Sequence, residues 1–125
     1  MSAFREAFPI LYSDDVRGAV DFYCANFGFD VAYRWPPEGE LEFVFLRLDP
    51  LGIGLLKRPV DKQGEEFELC MYTDDIDAVA AELRLNGVEQ VVPPSDQPWG
   101  ERLAYFRDPD GKLIHVAATI AQPAE

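Results

Sequence analysis

Apolar and polar positions follow one plan twice along this chain. Phe8 to Tyr12 is a short apolar run and reads as a strand. Ser13, Asp14 and Asp15 then offer side-chain oxygens and negative charge to a helix start. Val16, Val20, Tyr23, Cys24 and Phe27 recur on one helical face, and Gly28 ends the helix by tolerating positive φ. Strands follow at Asp30 to Trp35, Leu41 to Leu48 and Gly52 to Lys57, parted by Pro36-Pro37-Glu38-Gly39 and by Asp49-Pro50-Leu51-Gly52. The second passage repeats the plan. Phe67 to Tyr72 reads as a strand, and Thr73-Asp74-Asp75 precede a helix carrying Ile76, Val79, Ala80 and Leu83, closed by Gly87. A strand near Glu89 to Val92, a loop from Pro93 to Gly100, and a hairpin of Arg102 to Arg107 with Lys112 to Ala118 complete it. The hairpin turns on Asp108-Pro109-Asp110-Gly111.

Such self-similarity predicts an α+β fold of two tandem βαβββ modules in one domain over residues 1–125. Module one covers about 5–57, a linker 58–66, module two about 67–118, and a frayed tail 119–125. One helix covers only one face of a sheet, so each module leaves a face open unless the other curls against it. The expectation is a cupped mixed sheet with helices on the convex side and a shared cleft. Alternation puts Glu68, Cys70 and Tyr72 on one side of their strand, opposite Leu69 and Met71. His115 likewise opposes Ile114 and Val116. A carboxylate and an imidazole are poorly placed under a helix, which assigns Glu68 and His115 to the open face.

Composition narrows the classes. With 125 residues and 48% apolar content the chain can bury a core as one globular domain. It has no transmembrane run and no basic-then-apolar leader, so the expectation is a soluble cytoplasmic protein that uses no membrane. Cys24 and Cys70 lack metal-ligand spacing and read as two buried thiols. Acidic residues outnumber basic ones 23 to 11, a net charge of −12. That argues against nucleic acid, which needs basic surface, and suits a cationic partner as well as plain solubility.

The chain from Phe8 to about Ala118 resembles the vicinal oxygen chelate superfamily of glyoxalases, extradiol dioxygenases and bleomycin-resistance proteins. Phe8-Pro9-Ile10-Leu11, Asp15 through Tyr23 and Phe27-Gly28-Phe29 look most like the bleomycin-binding branch. So do Asp96-Gln97-Pro98-Trp99-Gly100-Glu101-Arg102, Arg107-Asp108-Pro109-Asp110-Gly111 and His115. The resemblance weakens from about Val31 to Val92. It implies four metal-ligand positions in the family's enzymes, carried here by Phe8, by Gly54 or Leu56, by Glu68 and by His115. Only Glu68 and His115 have ligating side chains, whereas a catalytic metal site usually takes three protein ligands. The resemblance therefore implies no resident cofactor, with Glu68 and His115 as weak candidates for a divalent metal.

Several residues carry two readings. Glu68 is an edge charge, a general base or a recognition group for a cationic ligand; recognition is favoured, since no nucleophile or oxyanion hole lies nearby in sequence. Trp99, between Pro98 and Gly100, either packs on the hairpin or forms a stacking platform for a planar ligand. Trp35, Phe43 and Phe45 divide between core and cleft by strand parity. Tyr12 and Tyr72 are expected to be structural on one side and cleft-lining on the other. Arg102 and Arg107 are expected to pair with local carboxylates. The expected ligand-binding set is Trp99, Glu68, His115, Trp35, Phe43, Phe45, Tyr72 and Gly100, with no catalytic residue. In the bleomycin-binding proteins a proline at the place of Pro9 resembles a hinge, implying a domain-swapped homodimer.

Three functions follow as expectations: a non-catalytic protein that sequesters a flat, aromatic, cationic small molecule such as an antibiotic; a metal-dependent lyase, isomerase or dioxygenase; and an interaction module with a vestigial cleft.

Overall fold

A computed structural model describes residues 8–60 and 68–120. The chain divides into two compact units, with the boundary between Asp61 and Lys62. The first unit runs β1 (Ile10–Ser13), α1 (Val16–Phe27), β2 (Asp30–Trp35), β3 (Phe43–Leu48) and β4 (Leu51–Lys57). The second runs β5 (Glu68–Tyr72), α2 (Ile76–Leu85), β6 (Glu89–Asp96), β7 (Glu101–Arg107) and β8 (Leu113–Thr119). Each is a βαβββ module whose four strands form one mixed sheet, ordered β1-β4-β3-β2 and β5-β8-β7-β6. The outer pairs β1–β4 and β5–β8 are parallel and the rest antiparallel. No helix among the described residues is long and apolar enough to cross a membrane.

Local chemistry sets the helix ends. The Asp15 carboxylate accepts from the Gly18 N–H at 3.1 Å, and Asp75 accepts from Ala78 at the same distance. These caps satisfy amides that have no partner inside the helix. Gly28, at φ 76°, returns its N–H to the Tyr23 carbonyl and stops α1. The helices bury Val16, Ala19 and Tyr23 in one unit, and Ile76, Ala80 and Leu83 in the other. Against α1 the sheet turns Leu11, Val44, Leu46, Ile53 and Leu55; against α2 it turns Ala104, Phe106, Ile114 and Val116, all buried. Each unit therefore has its core on the helix side of its sheet.

Four expectations need correction. β6 continues through Pro93 and Pro94 to Asp96, where a loop is expected. β6 is the edge strand among the described residues, a place where proline is tolerated, and the register slips between Val92 and Ser95. Cys70 is exposed, and Cys24 half-buried, so the chain does not hold two buried thiols. Tyr12 and Tyr72 are both exposed, and neither serves the core. Thr119 belongs to β8 rather than to a frayed tail, and Ile120 donates to the Gly100 carbonyl. The start of module one, Phe67, most of the linker and residues 121–125 lie outside the described residues. Arg58 and Val60 of the linker donate backbone N–H bonds to the Ser13 carbonyl and the Asp14 carboxylate.

The two Asp-Pro motifs are not equivalent. β3 and β4 meet tightly at Leu48 and Leu51, so Gly52 is already a strand residue. β7 and β8 are joined by a wider turn, in which the buried Asp108 carboxylate accepts from the Asp110 and Lys112 amides at 2.9 and 2.7 Å. Gly111, at φ 85°, closes it. Strand pairing, not the motif, decides which residues correspond. His115 stands opposite Cys70 and Tyr105, and Gly54 opposite Ile10 and Phe45. Gly54, not Leu56, is the counterpart of His115.

Candidate functional site

The second unit places its polar and aromatic chemistry on the sheet face away from α2. Glu68, Cys70 and Tyr72 come from β5, His115 and Ala117 from β8, Glu101, Leu103 and Tyr105 from β7. Alternation and pairing put all eight on one side. Glu68 pairs with Leu113, two residues from His115, so its carboxylate reaches the imidazole diagonally: Glu68 Oε1 lies 3.3 Å from His115 Nδ1. The Tyr105 ring lies 4.9 Å from the imidazole, centroid to centroid. Nε2 of His115 is buried and has no hydrogen-bond partner among the described residues. A buried polar atom left this way is destabilising, so it is the natural point for a ligand or solvent hydrogen bond.

A second cluster lies along the same face. Tyr72 Oη donates to Glu101 Oε2 at 2.5 Å, and Trp99 Nε1 donates to Glu101 Oε1 at 2.9 Å. The Tyr72 bond spans the intervening strand β8, where the residue at that level, Ala117, has only a methyl group. Both rings stay largely in solvent, Tyr72 at 66% and Trp99 at 63% exposure. Donation from Tyr72, then from Trp99, holds the Glu101 carboxyl below the usual carboxylate range, and the same bond raises the Tyr72 phenol. Burial, then the Glu101 and Glu68 carboxylates, raises the Cys70 thiol. Burial, then Glu68, raises the Tyr105 phenol.

Gly100, buried at φ 96°, makes the turn that presents Trp99; its N–H bonds to the Gln97 carbonyl and its own carbonyl accepts from Ile120. Arg102 points to the other side, where it pairs with Asp77 of α2 and with Asp96 at 2.9 and 3.0 Å. Arg107 lies 3.8 Å from Glu89. Both arginines pair with local carboxylates, as expected.

In the first unit the open face is mainly aromatic, with Arg47 and Asp30 together on the same side near one end of β2 and β3. Trp35 pairs with Phe43 and Tyr33 with Phe45, so all four project away from α1. Trp35, Phe43 and Phe45 thus do not divide between core and open face; parity places all three on the open side. Phe8 packs edge-on to Phe45 at 4.7 Å, and Arg47 sits 5.8 Å over the same ring. The Phe45 and Phe43 rings lean along β4 onto Gly52 and Gly54, where a Cβ would come within 2.4 and 2.9 Å of them. Glycine at these two places provides the floor for both rings.

The donor set does not suit a metal centre of the family's kind. Glu68 and His115 supply one carboxylate and one imidazole, while Phe8 and Gly54 supply no side-chain donor. Among the described residues no three His, Cys, Asp or Glu side chains gather to hold a metal. Sequence reasoning missed Glu101 and Tyr105. Glu101 stands two residues from Trp99 in a segment that carries the family resemblance, and Tyr105 shares the parity of Glu101 in the terminal hairpin.

Comparison with known proteins agrees with the fold. Residues 7–116 match the family model described as Glyoxalase/Bleomycin resistance protein/Dioxygenase superfamily. The uncharacterized protein YraH of Bacillus subtilis (strain 168) is 29% identical over 120 residues, covering 85% of this chain and 91% of that protein. TnmS3, an antibiotic binding protein from Streptomyces sp. CB03234, superposes with a TM-score of 0.76 at 27% identity, covering 95% of this chain and 99% of its own. A bleomycin resistance determinant encoded on the transposon Tn5 superposes with a TM-score of 0.72 at 23% identity, covering 93% and 98%. The chain belongs to the glyoxalase/bleomycin resistance protein/dioxygenase superfamily.

Proposed function

We propose that this protein binds a flat, aromatic, cationic small molecule on the open face of its second sheet and sequesters it without catalysis. The observation that carries this reading is Trp99, an exposed indole fixed by its own N–H to Glu101 rather than packed into the fold. A ring held ready in solvent can stack on a ligand with little further loss of freedom. Glu68, His115 and Tyr105, further along the same face, supply the few polar groups that orient a ligand. The antibiotic-binding and bleomycin-resistance neighbours support the same reading. A metal-dependent reaction finds its support in the Glu68–His115 contact, but two donors fall short of a catalytic set.

Calorimetric titration of a panel of planar antibiotics and dyes tests the proposal. Trp99→Ala is expected to weaken the best binder about tenfold. Unchanged affinity removes the stacking role. The proposal includes a homodimer hinged at Pro9, whose carbonyl here accepts from Gly54 of its own chain at 2.9 Å. Light scattering at micromolar concentration is expected to return twice the chain mass, and a monomeric mass refutes the hinge.

A further inference from the structure

We propose that Glu101 is the specificity-determining residue of this face: it fixes Trp99 and Tyr72 beside a carboxylate and so selects flat ligands that carry positive charge. The inference rests on the binding reading above and adds the group that reads charge. Each aromatic donor takes a different oxygen of Glu101, Tyr72 on Oε2 and Trp99 on Oε1. A carboxylate offers about four acceptor positions, so two protein donors leave room for ligand donors. Among the described residues no Lys or Arg pairs with Glu101, and the neighbouring Arg102 is committed to Asp77 and Asp96. Among the described residues, therefore, no lysine or arginine neutralises its negative charge.

Geometry adds a second effect. Both rings direct their polar edges at the same carboxylate, and donation to an anion pushes electron density back onto the ring. The faces of Trp99 and Tyr72 then attract a cation more strongly than isolated rings do. Both side chains are already held by hydrogen bonds, which lowers the ordering cost of binding. A ligand charged on or next to its planar system meets ring faces and carboxylate together. A neutral one meets the rings alone. Glu68, on the same face but bonded to His115, is a separate polar contact.

Acridine and its shape-matched cation N-methylacridinium, in mildly alkaline buffer where acridine is neutral, separate the two contributions. Calorimetry on the wild-type chain is expected to show the cation binding about tenfold more tightly, with that preference shrinking as salt rises. Glu101→Gln, whose amide keeps an acceptor for only one of the two rings, is expected to erase the preference, with a loss for the cation about tenfold larger than the loss for acridine. Equal wild-type affinity for the two probes overturns the inference and leaves the binding reading standing. An equal loss for both in Glu101→Gln reduces Glu101 to a support for Trp99 and also overturns it. Binding of neither probe removes the binding reading and the inference together. A wild-type preference that does not respond to salt contradicts the proposal even if Glu101→Gln fails to fold.

Discussion

Glu68 Oε1 and His115 Nδ1 lie 3.3 Å apart, on neighbouring parallel strands and one diagonal step from facing each other. The contact holds the imidazole at Nδ1, while buried Nε2 has no hydrogen-bond partner among the described residues. It is the polar anchor of the open face.

Breaking that anchor separates binding from catalysis. Glu68→Gln keeps the shape and removes the charge, so the affinity for a planar cation is expected to fall only about threefold, by calorimetry. If a turnover is found with any substrate and Glu68→Gln abolishes it, the carboxylate is catalytic and the binding account is wrong.

The aromatic floor of the first unit predicts an ordered pair of stability losses. A Cβ at Gly52 would meet Phe45 Cζ at 2.4 Å and the Leu46 carbonyl oxygen at 2.7 Å. At Gly54 it would meet the Phe43 ring at 2.9 Å and Ile10 at 3.3 Å, both side chains that can yield. Gly52→Ala is therefore expected to cost about 1–3 kcal/mol in denaturant unfolding, and Gly54→Ala less. The reverse order would mean that the rings do not rest on β4 as described.

Cys70 is exposed yet its thiol is raised, by burial first and then by the carboxylates of Glu101 and Glu68. The thiolate is the reactive form. Alkylation of Cys70 by iodoacetamide, followed by mass spectrometry at neutral pH, is expected to run slower than that of an unstructured peptide thiol. Glu101→Gln should speed it. Rapid labelling of the wild-type residue would contradict the field described for this face.

The Tyr72–Glu101 bond predicts a pH window for stability. Glu101 has a lowered folded pKa, so its contribution is full above the unfolded carboxylate value and is lost as pH falls through the folded one. Tyr72 has a raised folded pKa, so its contribution is full below the unfolded phenol value and is lost as pH rises through the folded one. Tyr72→Phe is therefore expected to melt below wild type at neutral pH, with the gap closing in strong acid and in strong alkali. Both groups are in solvent, so the gap is small. A gap that persists at both extremes would assign the loss to packing.

Much of the fold is legible in the residues, because its signals are local. Asp15, Gly28 and Asp75 mark helix ends through bonds to residues three to five positions away. The sides of β5 and β8 follow from alternation, so Glu68 and His115 fall on one face without knowledge of the tertiary structure. What depends on pairing between strands is not legible. The Asp-Pro motifs align Leu56 with His115, yet turns of different width shift the register and put Gly54 there. The parity of Trp35 against Phe43 needs the β2–β3 register, which slips between Val31 and Tyr33. Glu101 escapes notice for a similar reason: its importance arises from Tyr72, reached across another strand.

On the proposed reading this face binds a small molecule without a metal. Elemental analysis of tag-free protein, dialysed against trace nickel, zinc, manganese and iron, tests it most directly. No metal above background is expected, since Glu68 and His115 alone make a weak site. Near-stoichiometric retention of one metal would contradict it and make Glu68 and His115 ligands of a catalytic centre.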